Sequence, residues 1–143
     1  MKKVVLALFT VFCISSCSSN EPKPLKLNSD SCDNCKMTIS NGKLGAELIT
    51  EKGRYYKFDD IACMVKFAKS GTTVAAKSFY VSDYLRDNTL IPAEKAFYLK
   101  GGTITSPMRG NTVAFSTKQE ADQYKTKLNA TSSSWDEIFN SFQ

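Results

Sequence analysis

From Leu44 onward the chain alternates short apolar runs with polar breaks. Leu44 to Thr50 and Arg54 to Phe58 read as strands, and Glu51-Lys52-Gly53 between them reads as a hairpin turn. The period then changes. Ile61, Met64, Val65 and Ala68 recur at i, i+3, i+4 and i+7, the single apolar stripe of an amphipathic helix. Asp59 or Asp60 is placed to cap it, and Ser70-Gly71 stops it. On this reading Cys63 lies within the helix as a small buried hydrophobe. Tyr55 and Tyr56 are strand residues.

The second half follows the same scheme. Lys77 to Ser82 and Lys95 to Leu99 read as strands, Gly101-Gly102 as a break, and Thr112 to Phe115 as a strand feeding a helix. Ser116 with Gln119, or Thr117 with Glu120, fits a capping box, and Ala121, Tyr124 and Leu128 give the apolar stripe. Aligning Phe58 with Phe115 brings Phe67 onto Tyr124, so both halves read strand, aromatic, polar cap, helix. A last helix runs from Trp135 to Phe142, with Ser134 and Glu137 as its capping box. The expectation is an α+β domain over residues 30–143, with pseudo-repeats at about 30–76 and 77–130 and a C-terminal helix.

The first residues have another purpose. Met1-Lys2-Lys3 and the uncharged run Val4 to Ile14 are too short to span a bilayer but suit a signal peptide. Ile14-Ser15-Ser16-Cys17 looks like a lipobox, so residues 1–16 are expected to be removed and Cys17 lipidated. Residues 17–29 then form the anchor and tether, the stretch around Pro22 and Pro24 holding the domain off the membrane. The domain is expected to face the periplasm or the cell exterior. Losing Lys2 and Lys3 lowers the formal charge from +5 to +3. The remaining Lys residues are scattered, which argues against nucleic acid as a partner.

Composition restricts the chemistry. The 143 residues include no His, which excludes a Ser-His-Asp triad, a Cys-His dyad and imidazole-bound metal. Any metal site must use sulfur and carboxylate. With Cys13 removed and Cys17 lipidated, Cys32, Cys35 and Cys63 remain, an odd number for an oxidising compartment. In Ser31-Cys32-Asp33-Asn34-Cys35-Lys36-Met37, two thiols and a thioether can turn toward one centre, and that donor set selects copper(I). Zinc requires four ligands, and only Cys63 remains to add a thiol. A redox C-x-x-C is the main rival, although no parallel βαβ pattern accompanies it. Met108, in Ser106-Pro107-Met108-Arg109-Gly110-Asn111, is a second sulfur candidate or a loop residue folding onto the core.

These segments together resemble the nitrous oxide reductase accessory lipoproteins, the NosL family. The resemblance rests on the lipobox, the C-x-x-C-x-M from Cys32 to Met37, and Phe58-Asp59-Asp60-Ile61-Ala62-Cys63-Met64. It extends to Val81-Ser82-Asp83-Tyr84 and to the stretch from Ser106 to Phe115. It implies two related ββαβ units and a copper(I) chaperone, not an enzyme. It further implies a site of Cys35, Met37 and Met108, with Cys32 and Cys63 as further ligands. The implied partners are apo-nitrous oxide reductase or its membrane assembly machinery. Lys36, Ala62 and Arg109 stand where the family pattern has glycine. The rival functions are a thiol–disulfide oxidoreductase using Cys32 and Cys35, and a structural assembly lipoprotein.

Overall fold

A computed structural model describes residues 21–71 and 75–143. The expected leader and Cys17 lie outside these residues. Two antiparallel sheets and three helices form the domain. The first sheet holds β1 (Ala46–Thr50), β2 (Tyr55–Phe58), β3 (Ala76–Ser82) and β4 (Leu90–Pro92), in the order β2-β1-β3-β4. The second holds β5 (Phe97–Lys100), β6 (Thr112–Phe115) and β7 (Thr131–Ser133), in the order β6-β5-β7. The helices are α1 (Ile61–Lys69), α2 (Lys118–Lys127) and α3 (Trp135–Ser141). No helix among the described residues is long and apolar enough to cross a membrane.

The duplication is real, but its boundary is displaced. The units are β1-β2-α1-β3 and β5-β6-α2-β7, and both have the hairpin's first strand at the centre. The strand expected to open the second half, β3, instead closes the first unit by pairing with β1 from Ala46↔Val81 to Thr50↔Ala76. β4 extends the first sheet, and β7 supplies the missing last strand of the second. Neither was legible, because β4 is three residues ending in Pro92 and β7 is Thr131-Ser132-Ser133. The aligned aromatics do correspond. Phe58 packs on Phe67 at 5.3 Å between ring centroids, and Phe115 on Tyr124 at 5.6 Å.

The helices begin where side-chain caps supply acceptors for free amides. Asp60 caps α1 through Ala62 N–H, Thr117 caps α2 through Glu120 N–H, and Ser134 with Glu137 completes the capping box of α3. Trp135 and Phe139 of α3 lie against Phe79 of β3, 5.5 and 5.7 Å between ring centroids. The described part of the stretch read as a tether, residues 21–29, is docked through Lys23 and Leu25. The Lys23 amide donates to Glu47 on the central strand at 2.9 Å, and the buried Leu25 is held by Asn88 through its amide and its carbonyl. Gly45 admits this strap, since a Cβ there would lie 2.3 Å from Leu25 Cδ1. The folded unit therefore starts ahead of residue 30.

Candidate metal centre

The C-x-x-C segment is a closed loop. Ser31 bridges Thr38, the Cys32 amide donates to the Met37 carbonyl at 2.8 Å, and the Lys36 amide to the Cys32 carbonyl at 2.9 Å. This tight turn puts Lys36 at φ 66, a left-handed conformation that glycine adopts without cost. Asp33 fastens the loop to the end of β2: its amide donates to the Lys57 carbonyl, and its carboxylate accepts from the Lys57 amide, both at 2.8 Å. The last residues of β2 then lead directly to Asp59 and α1.

That path brings four donors together. The sulfurs of Cys32, Cys35 and Cys63 and a carboxylate oxygen of Asp59 all lie within 4.8 Å of one another. Cys32, Cys63 and Asp59 are buried, and Cys35 alone is partly exposed. The Cys35 thiol donates to the Asp59 carboxylate at 3.4 and 3.5 Å, and Asn34 Nδ2 donates to Cys63 Sγ at 3.5 Å. A hydrogen bond from the Cys63 thiol stabilises the Cys32 thiolate and draws its pKa down to about 6. The same bond, together with burial, pushes the Cys63 thiol up. Burial raises Cys35 to about 11, and the negative Cys32 adds to this. The cluster thus holds one ionised sulfur beside two protonated ones, each of which loses its proton if it binds a metal.

Asp59 is the residue sequence reasoning misassigned. The cap belongs to Asp60, and Asp59 turns its carboxylate into the thiol cluster. Two successive acids at a helix start were the available signal, because a cap needs only one. Asp59 also removes the argument against zinc, since three thiols and a carboxylate make four ligands.

Met37 and Met108 sit in different settings. Met37 is 49% exposed. Met108 is half-buried and packs against the core that includes Cys32 and Cys63. Its loop is held by Asp60, whose Oδ2 accepts from Ser106 Oγ at 2.6 Å, the Met108 amide at 3.0 Å and the Gly110 amide at 3.3 Å. One carboxylate therefore both caps α1 and ties the second-unit loop to the end of the thiol cluster. Gly110 makes the approach possible, because a Cβ there would meet Asp60 Oδ1 at 2.4 Å and Ala62 Cβ at 2.9 Å. Arg109 takes the strained conformation between them, φ 57.

The second unit carries a counterpart at the equivalent place. The Asp33 amide bonds to Lys57 at the end of β2, and the Tyr84 amide bonds to Ala114 at the end of β6 in the same way. On this equivalence Cys32, Cys35, Asp59 and Cys63 correspond to Asp83, Arg86, Ser116 and Glu120. Those four residues are also bonded to one another. Arg86 pairs with Asp83 at 2.7 Å and Glu120 at 2.6 Å, and Ser116 donates to Asp83. Burial acts to raise the Asp83 carboxyl, but hydrogen bonds from Ser116, Leu85 and Arg86 outweigh it and hold it below the usual range.

Two ββαβ units in one small α+β domain, with three thiols and a carboxylate gathered at the edge of the first, define a protein class with a sulfur-rich cluster that could hold a metal ion. The chain belongs to the NosL family, whose model matches residues 24–142. A crystal structure of the copper chaperone NosL from Shewanella denitrificans shares the fold, with a TM-score of 0.68 and 22% identity, over 82% of this chain and 96% of that one. No match was found among curated proteins.

Proposed function

We propose that the chain is a copper(I) metallochaperone, anchored to a membrane through a lipidated Cys17, that supplies copper for the maturation of nitrous oxide reductase. The observation that carries this reading is the convergence of three thiols and Asp59 within 4.8 Å, with only Cys35 partly open to solvent. Membership of the NosL family and the shared fold with a copper chaperone support it.

Copper(I) is the cargo. A soft ion is satisfied by two or three sulfurs, so thiolates hold it and thioethers ease its transfer. Cys32 offers a thiolate close to neutral pH, while Cys35 at the open edge gives up its proton as the ion arrives. An acceptor's ligand enters at that edge and replaces the sulfurs one at a time. The exposed Met37 is a neutral donor that holds copper during the exchange without trapping it. No redox step is needed, and the chain acts without catalysis.

Titration of the reduced chain with copper(I) against a competing chelator tests this reading. One tightly held copper(I) per chain is expected, and binding of zinc with equal strength, using Asp59 as fourth ligand, would overturn it. A Cys17→Ala variant should leave the membrane fraction while still loading copper. Catalysed reduction of a small disulfide by the apoprotein would instead support the dithiol oxidoreductase.

A further inference from the structure

The acids beside the thiol cluster all point inward or are already bonded. Asp59 is 3% exposed and takes the Cys35 thiol, and Asp60 is 1% exposed and accepts four hydrogen bonds. Asp33 is half-buried on the Lys57 amide. Among the exposed residues of the two flanking loops, Lys36 and Arg109 are the charged ones and Met37 is the large apolar one. Met37 is one of two large hydrophobics with this exposure among the described residues. Lys36 rests its ammonium on the Asp33 carbonyl at 2.6 Å, an uncharged acceptor. The Arg109 guanidinium has no hydrogen-bond or ion-pair partner among the described residues, while its amide donates to the Ser106 carbonyl at 3.0 Å. Both basic side chains sit on left-handed backbone, φ 66 and 57, where glycine would be free of strain. The exposed charged side chains of the rim are therefore both basic, with one thioether beside them.

We infer that this rim is the docking surface for the protein that accepts copper, and that the acceptor carries carboxylates around its own sulfur ligands. The inference rests on the copper-chaperone reading and adds the chemistry of the partner. A cationic rim attracts an acidic face over several ångströms and repels a basic one, so it acts on the rate of encounter more than on the affinity for copper. It also holds two copies of this chain apart rim to rim, which directs copper outward instead of between copies. Met37 gives the arriving ligands a soft, uncharged contact inside the ring of charge.

The test is stopped-flow transfer from the copper(I)-loaded, detergent-solubilised full chain to two synthetic peptides. Both carry the same Cys and Met ligands, one flanked by glutamates and the other by lysines. At low salt the glutamate peptide is expected to take copper at least about tenfold faster, a difference that shrinks toward unity near 0.5 M salt as screening closes in. In Lys36→Gln with Arg109→Gln the preference disappears while copper(I) affinity stays within about threefold, because neither residue is a ligand. Lys36→Gly with Arg109→Gly, suited to the left-handed backbone, gives the same result if the glutamine variant folds poorly. Equal rates for both peptides in the unmodified chain overturn the surface, as does a preference that survives both variants. Binding of the rim to phosphatidylglycerol vesicles, lost in these variants and unaccompanied by peptide preference, reassigns the surface to lipid. A chain that takes up no copper(I) at the loading step overturns the functional reading and this surface together.

Discussion

Asp59 and Asp60 are neighbours of the same chemistry with separate duties, and the difference is one of direction. Asp60 faces the free amides of α1 and the Met108 loop, whereas Asp59 faces Cys35. At the residue scale Cys32, Cys35, Met37 and Met108 stood out as candidates from type and setting, whereas Cys63 read as a buried helix residue and entered the set only through the family resemblance. Asp59 was not legible as a ligand, because a cap and a ligand have the same side chain and only the backbone decides which way it points. Three substitutions separate the sulfurs. Cys35→Ser should abolish tight copper(I) binding, since it removes a thiolate at the open edge. Met37→Ser should weaken binding by less, since a thioether is a neutral donor. Met108→Ser should weaken copper(I) binding and also lower stability by about 1–2 kcal/mol, below the cost of truncating a fully buried Met, because Met108 is half-buried. Chelator competition and a thermal melt on each variant read both quantities.

The proton balance gives a second prediction at this scale. Cys32 is ionised above about pH 6, and Cys35 keeps its proton until about pH 11. If both bind copper, loading at pH 7–8 releases one proton and affinity rises about tenfold per pH unit. Below pH 6 Cys32 is also protonated, two protons must leave, and affinity should fall about a hundredfold per unit. A chelator competition series from pH 5 to 8 should show the break near pH 6, and a uniform slope would remove Cys32 from the ligand set.

At the scale of elements, the decisive join is the one between the start of α1 and the loop from Ser106 to Gly110. Asp60→Ala removes the helix cap and leaves the buried Ser106 hydroxyl and the Gly110 amide without their acceptor. The expected loss is about 2–4 kcal/mol, from a cap worth about 1 and unsatisfied groups worth more. Gly110→Ala drives a Cβ against Asp60 and Ala62 and should cost about 1–3 kcal/mol, the usual cost of overpacking. Chemical denaturation checks both. Elements with a strong period, such as α1 and the first hairpin, could be read directly. β4 and β7 could not, since one ends in Pro92 and the other is polar throughout, and both are strands because a neighbour pairs with them. That is also why the repeat boundary moved: β3 is claimed by β1, a long-range choice no local pattern records.

At the scale of the whole molecule, the same chain path was used twice and its end filled with different chemistry. The first unit ends in thiols and Asp59, the second in Asp83, Arg86, Ser116 and Glu120. Arg86→Ala leaves the buried Asp83 carboxylate with Ser116 and an amide but no countercharge. Because the guanidinium is half-exposed and screened, the variant should melt lower, but by less than breaking a fully buried pair would cause. Copper stoichiometry should remain one per chain in that variant, as checked by metal analysis beside the melt.

This pairing has a consequence for how the molecule registers its own cargo. In the second unit the positive centre is Arg86, carried on the chain and present in every state. In the first unit the corresponding positive charge would be a visitor. A ligand that binds only the folded form stabilises it by an amount that grows with the logarithm of its free concentration over its dissociation constant. Loading should therefore slow amide hydrogen exchange at the first turn of α1, around Ala62 and Cys63, and leave the first turn of α2, around Glu120, unchanged. The two halves then serve as signal and internal reference within a single chain, and exchange mass spectrometry can read the loaded fraction from their ratio.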